Sequence, residues 1–185
     1  MNSCRYLCVL LILLLAVFAP AQEITSGPDK GANVPGLKVF DVTGEFKDKE
    51  VDYAAKRKDK PTIYVFIQAE KFDRPMNRFL KSLDKEIKKD SEDAYIVAVW
   101  LTADVDKTKE LLPRVQQSAE YENTALTCFA GGKEGPDGWN VNGDAHLTVV
   151  LANKKKVAAT LGYKSINEMD VKAVRVAFKK ALKGK

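Results

Sequence analysis

Two apolar runs of strand length, separated by one amphipathic helix, constrain this chain more than anything else in it. "TIYVFI" (62–67) and "AYIVAVWL" (94–101) are continuous, β-branched and aromatic. A run without polar alternation suits a strand covered on both faces. Between them Met76, Phe79, Leu80, Leu83 and Ile87 recur at spacings of three and four, which places them on one helical stripe. Lys81, Lys85, Lys88 and Lys89 lie off that stripe or near its end, where cations favour the helix dipole. A strand, a covering helix and a second buried strand make a parallel βαβ unit.

The rest of the chain extends that unit. "LKVFDVT" (37–43) alternates like a half-buried strand, and "VDYAAKRKDK" gives a short helix ended by its basic cluster and Pro61. A second helix starts near Val105, with Pro113 implying a kink or an early break. "TALTCFA" reads as a short strand, and "GGKEGPDGWNVNGD" (131–144) as a turn-rich loop carrying Trp139. "AHLTVVLA" and "KVAATLGY" flank "NKKK" as an antiparallel hairpin with a basic turn. The last helix opens at "SINE", with Ser165 and Glu168 as a capping box. Ile166, Met169, Ala173, Val174, Ala177, Phe178 and Leu182 then line one face. The expected fold class is α/β, a three-layer α/β/α sandwich around a mixed central sheet.

Residues 1–21 have the layout of a secretory signal: a basic start, the apolar run "YLCVLLILLLAV", then Ala19 and Ala21 in small-x-small spacing. The run is shorter than the ~20 residues a membrane span needs. An uncleaved anchor is the alternative. Residues 22–36, rich in Gly and Pro, read as a flexible lead-in, and 37–185 as one domain. The expected destination is secreted or periplasmic, with membrane contact only transient, through the signal.

The full chain carries a formal charge of +5, and removing Arg5 with the signal lowers the excess by one. That is a solubility-level charge and excludes a nucleic-acid footprint. Lysines cluster at 56–60, at 154–156 and at the C-terminus. They read as solvated faces, with attraction to an anionic surface as the alternative. Of the three cysteines, Cys4 and Cys8 fall in the signal and only Cys128 remains. An internal disulfide and dithiol chemistry are therefore both impossible in the mature chain.

At the junction of the first buried strand and its helix stands "FDRPM", Phe72 to Met76. Together with "KPTIYVFI" and "VNGDAHLTVVLANKKKVAATLGY", and with the element order, it resembles the thioredoxin-like superfamily, especially exported domains related to peroxiredoxins and thiol-disulfide reductases. The resemblance runs from about Leu37 to Leu182. It implies a three-layer thioredoxin-like sandwich with an active-site turn at Phe72, Asp73, Arg74, Pro75 and Met76. Phe72 matches the aromatic residue before the family's Cys-Gly-Pro-Cys, and Pro75 matches its proline. Asp73 and Met76 stand where the cysteines would be. Ala145 stands where the family has a cis-proline, and a non-proline cis bond costs about 2.5–4 kcal/mol. Read without the resemblance, "FDRPM" is an Asp N-cap followed by a first-turn proline.

Other chemistry is sparse. Cys128 in "LTCFA" has an apolar setting that suits an inert thiol, with a single-cysteine, peroxiredoxin-like enzyme as the alternative. His146 is the only histidine and builds no zinc site alone. A Cys128–His146 nucleophile and base is conceivable, but nothing in the sequence brings the two together. "DGWNVNGD" fails the EF-hand spacing. No cofactor or metal is implied. The resulting expectation is an exported thioredoxin-fold protein without a dithiol centre, leaning away from an enzyme. It would bind or scaffold a protein partner or an anionic surface, with Trp139 and His146 as candidate surface contacts beside the turn. The mature chain is expected to begin at Gln22, which N-terminal sequencing of the exported protein checks; an intact residue 1–21 segment would favour the anchor.

Overall fold

Every residue of β4 (Thr62–Gln68) is buried, and alternation along it divides the interior in two. Ile63, Val65 and Ile67 enter one core, Tyr64 and Phe66 the other. The computed structural model describes residues 23–184. The proposed signal, residues 1–21, lies outside them.

Strands β5 (Tyr95–Thr102) and β6 (Thr124–Ala130) follow β4 in parallel, and β7 (Leu147–Asn153) pairs with it antiparallel on the other side. β8 (Lys156–Tyr163) extends that side, and β1 (Glu23–Ile24) adds two residues at its edge. β2 (Lys38–Asp41) and β3 (Lys49–Asp52) extend the other, so eight strands run in the order β1-β8-β7-β4-β5-β6-β2-β3. This is the expected mixed sheet.

The first core lies under three long helices. α2 (Arg74–Ile87) buries the expected stripe of Met76, Phe79, Leu80, Leu83 and Ile87. α3 (Val105–Ala119) contributes Leu112, Val115 and Ala119, and α4 (Val171–Leu182) contributes Val171, Val174 and Phe178. The helix α3 does not break at Pro113. That residue is exposed, so water can serve the carbonyl its ring leaves without a partner. The other layer is mostly not helical. It holds the five-residue α1 (Tyr53–Arg57), the 131–144 loop and the N-terminal segment.

That segment is not the free lead-in its Gly and Pro content suggests. Gly31 N–H donates to Val157 O at 2.7 Å and Val34 N–H to Lys155 O at 2.9 Å, running it along β8. Ser26 is buried, its hydroxyl 2.6 Å from that of Thr148. The last helix also begins later than expected. Asn167 and Asp170, not Ser165 and Glu168, form the capping box, over a short 3-10 turn at Glu168–Asp170. The shift leaves Met169 74% exposed and Ala173 exposed, so neither lines the core.

The β7–β8 hairpin turns through Lys154 and Lys155 at φ +50° and +61°. Two left-handed central residues suit the twist of a two-residue hairpin, where Asn-Gly is favoured. Lysines there cost roughly 1–2 kcal/mol each.

One ion cluster ties α2 to α4. Arg175 donates from Nε and Nη2 to both oxygens of Asp90, at 2.7 and 2.6 Å, and from Nη1 to Glu86 at 2.6 Å. Burial alone would raise the Asp90 pKa, but hydrogen bonds from Arg175 and Lys179 overcome it and hold the carboxyl below its usual range. Because the folded pKa is lowered, this contribution is complete above the usual carboxylate range and is lost as pH falls through the folded value. Arg175→Ala is expected to cost on the order of 2–3 kcal/mol at neutral pH. Urea midpoints of both proteins across an acid titration check it: the gap should close at low pH, and no gap at neutral pH would sink the assignment.

Candidate functional site

After Gln68 the chain makes a short 3-10 turn, Ala69–Lys71, and enters α2 through Phe72 and Asp73. Asp73 is extended, at φ −135° and ψ 177°, and its Oδ1 accepts the Met76 N–H at 2.9 Å. It is the N-cap read from the sequence. Pro75 sits in the first turn, where a missing N–H leaves no bond unmade. Asp73, Arg74 and Pro75 are exposed. Met76 is 2% exposed and belongs to the core. Phe72 is half-buried, edge-on to Trp100 with ring centroids 5.1 Å apart.

Ala145 and His146 come to the same end of the sheet. The His146 carbonyl accepts the Gln68 N–H at 3.0 Å, and its own N–H donates to Tyr163 O at 2.8 Å. His146 therefore bridges the end of β4, next to the turn, and the end of β8. Ala145 is buried and its N–H closes a turn onto Asn142 O at 2.9 Å. No peptide bond among the described residues is cis.

Trp139 corrects the sequence reading. It is fully buried, not a surface contact. Its indole packs on Tyr64 and Phe66 at 4.9 and 4.8 Å, and Nε1–H donates to Gly36 O at 2.9 Å. A loop of polar composition folds inward because the β4 aromatics on this face have no long helix to cover them.

Cys128 lies mid-sheet on β6, in register with Trp100 on one side and Phe40 on the other. It is 2% exposed, and burial pushes its thiol pKa up, with nearby Lys109 opposing. A cleft of about 300 Å³ between β2 and α3 has the residue in its wall, with Lys109 Nζ 3.6 Å from the centre of the Phe40 ring. His146 is not near it in the fold: β4 and β5 separate β7 from β6. The sequence reading missed Trp100. It is fully buried beneath Phe72, and its Nε1–H has no hydrogen-bond partner among the described residues. Its place in an apolar strand gave no signal of that.

No family model and no curated protein matches this sequence. Solved structures do. A candidate thiol:disulfide interchange protein DsbE from Chlorobium tepidum is similar at TM-score 0.62 and 18% identity, covering 84% of this chain and 99% of that one. The chain has a thioredoxin-like fold. A thiol peroxidase from Chromobacterium violaceum shares the fold at TM-score 0.58 and 13% identity, over 89% of this chain and 94% of that one. So does a DsbF homologue from Corynebacterium diphtheriae, at TM-score 0.59 and 15% identity, over 82% and 90%. The FDRPM turn is thus carried on a thioredoxin-like fold, with Asp73 as the helix cap and Met76 buried in the core.

Asp73→Ala is expected to destabilise the protein by about 1 kcal/mol, and Asp73→Ser by less. Denaturant midpoints of the three proteins measure this, and an unchanged midpoint in Asp73→Ala would mean the cap is not used.

Proposed function

We propose that this is an exported binding or scaffolding protein that has the thioredoxin-like fold and performs no dithiol exchange. One observation carries the reading: at the turn that resembles the family's active site, Asp73 is the helix N-cap and Met76 a buried thioether, so neither supplies a thiol. Exchange requires a thiolate, stabilised at a helix N-terminus, and a second thiol to resolve the mixed disulfide. Asp73 occupies the cap, and its carboxylate does not attack disulfides. Met76 is a thioether packed in the core. The exposed surface at this end includes Asp73, Arg74 and Pro75, with the half-buried His146. This is the contact face for a protein partner; Trp139, fully buried, is not part of it. Export rests on the reading of residues 1–21; among the similar structures is a pneumococcal exposed lipoprotein thioredoxin.

A second reading has a specific observation in its favour. Cys128 lies in the wall of a cleft beside Lys109, whose charge lowers the thiol pKa. A single-cysteine enzyme of the peroxidase kind would use it there. Burial is the larger effect and works against a thiolate.

The binding reading expects insulin reduction by excess dithiol to proceed at the no-protein rate. It also expects native Cys128 to label slowly at neutral pH and to speed up only on unfolding. Cys128→Ala should fold with a modest loss of stability and Cys128→Ser with a larger one, because it buries a hydroxyl. Fast native labelling, with a thiol pKa below that of free cysteine, would put the enzyme reading first.

A further inference from the structure

The geometry points to a binding site for a single-chain amphiphile with an anionic head group, in the cavity between the β7–β8 turn, the end of α4 and the Lys30–Gly31 segment. It lies at the far end of the sheet from Phe72, since Thr62, where β4 begins, pairs with Ala152 just before the turn. The inference is therefore independent of the reading of the FDRPM turn.

The cavity holds about 400 Å³, within the roughly 300–1,000 Å³ range of small-molecule sites. Its walls carry Lys30, Lys154, Lys156 and Lys180, and no Asp or Glu. None of these four lysines makes an ion pair among the described residues. They come from three separate segments. Lys180 alone would be explained as a complement to the α4 dipole. The others have no helix end to serve, and Lys154 holds its charge on a left-handed backbone. The Lys154 N–H also bonds Asp59 O at 3.3 Å, which brings the 56–60 basic cluster alongside.

The floor is apolar and built from small side chains. Ala158 is an unpaired bulge residue on β8, where the register shifts between Leu151 and Ala152. Ala159, Ala177 and Ala181 leave space beside it. Asn153 Nδ2 donates to Ala181 O at 3.1 Å and fixes the hairpin to the end of α4, so the walls are held.

These features select the ligand. The lysines are exposed point charges on flexible stems, with no arginine fork among them. A small inorganic anion would gain only screened attraction there. It would also meet the negative end of the α4 dipole at the floor. An apolar tail on the alanine floor adds burial that the charges do not supply, with the head group at the lysine rim.

Calorimetric titration of the purified chain with decanoate, below its micelle-forming concentration, tests this. Decanoate should bind at one site, with decyltrimethylammonium and inorganic phosphate at least about tenfold weaker. Ala177→Phe, which fills the floor without changing charge, and the pair Lys154→Glu with Lys156→Glu should each weaken decanoate by about tenfold or more. Amide resonances shifted by decanoate should centre on Gly31, Ala158 and Ala181. That map needs no variant, so it decides the matter even if Ala177→Phe does not fold. Phosphate binding as tight as decanoate, shifts spread over all the lysine clusters, binding to anionic vesicles but not to free decanoate, or no binding would each overturn the proposal.

Discussion

Tyr64 and Phe66 leave β4 on a face that none of the long helices covers, and much of the structure answers that exposure. Burying an aromatic side chain of this size stabilises by roughly 1.5–3 kcal/mol, so leaving two in water is not a stable option. Trp139 closes over both rings, with Leu37, Tyr53 and Val150 around it. Covering a sheet with irregular chain leaves backbone groups to satisfy. Asp41 does part of this work: fully buried, it accepts from Gly44 N at 2.7 Å, Phe46 N at 2.8 Å and the Tyr53 hydroxyl at 2.6 Å. Burial and that carboxylate push the Tyr53 pKa far up, which keeps the hydroxyl a donor.

The opposite face follows simpler rules and governs the turn at Phe72. Regular helices pack there, and α2 needs an N-terminal partner for its free N–H groups. A helix start offers one capping position and one positive dipole end. Asp73 takes the first and meets the second, so the electrostatic resource that could stabilise a thiolate serves structure instead. Met76 then extends the buried stripe by one turn, its thioether packed in the core. The same residues that resemble an active site are accounted for by helix formation.

How much was legible in the sequence follows the range of the interactions. β4, α2 and β5 were readable because their periodicity is local and unbroken. The Asp73 cap and the β7–β8 hairpin were readable for the same reason. β1 and β3 were not, being two and four residues long and defined by partners far along the chain. Two capping motifs lie two residues apart before α4, and local pattern does not choose between Ser165 and Asn167. Trp139 sits among Gly, Asp and Asn, and its burial depends on a vacancy over β4 that only the assembled sheet creates. The lysine clusters were visible singly; that those at 56–60, 154–156 and α4 gather at one end was not.

The sheet's borders bear on how the molecule behaves among its own copies. A strand edge is a row of unpaired N–H and C=O groups, and a long one invites a neighbouring chain to add on. Here one border is β1, two residues long, and the other is β3, four residues with Lys49 and Glu50 exposed. A visiting strand finds few consecutive bonds to make and charged side chains flanking them. The long, apolar strands most able to template a fibril lie in the middle of the sheet, each already paired on both sides. Among the described residues, backbone-to-backbone growth between crowded copies therefore finds only short edges to start from while the fold holds.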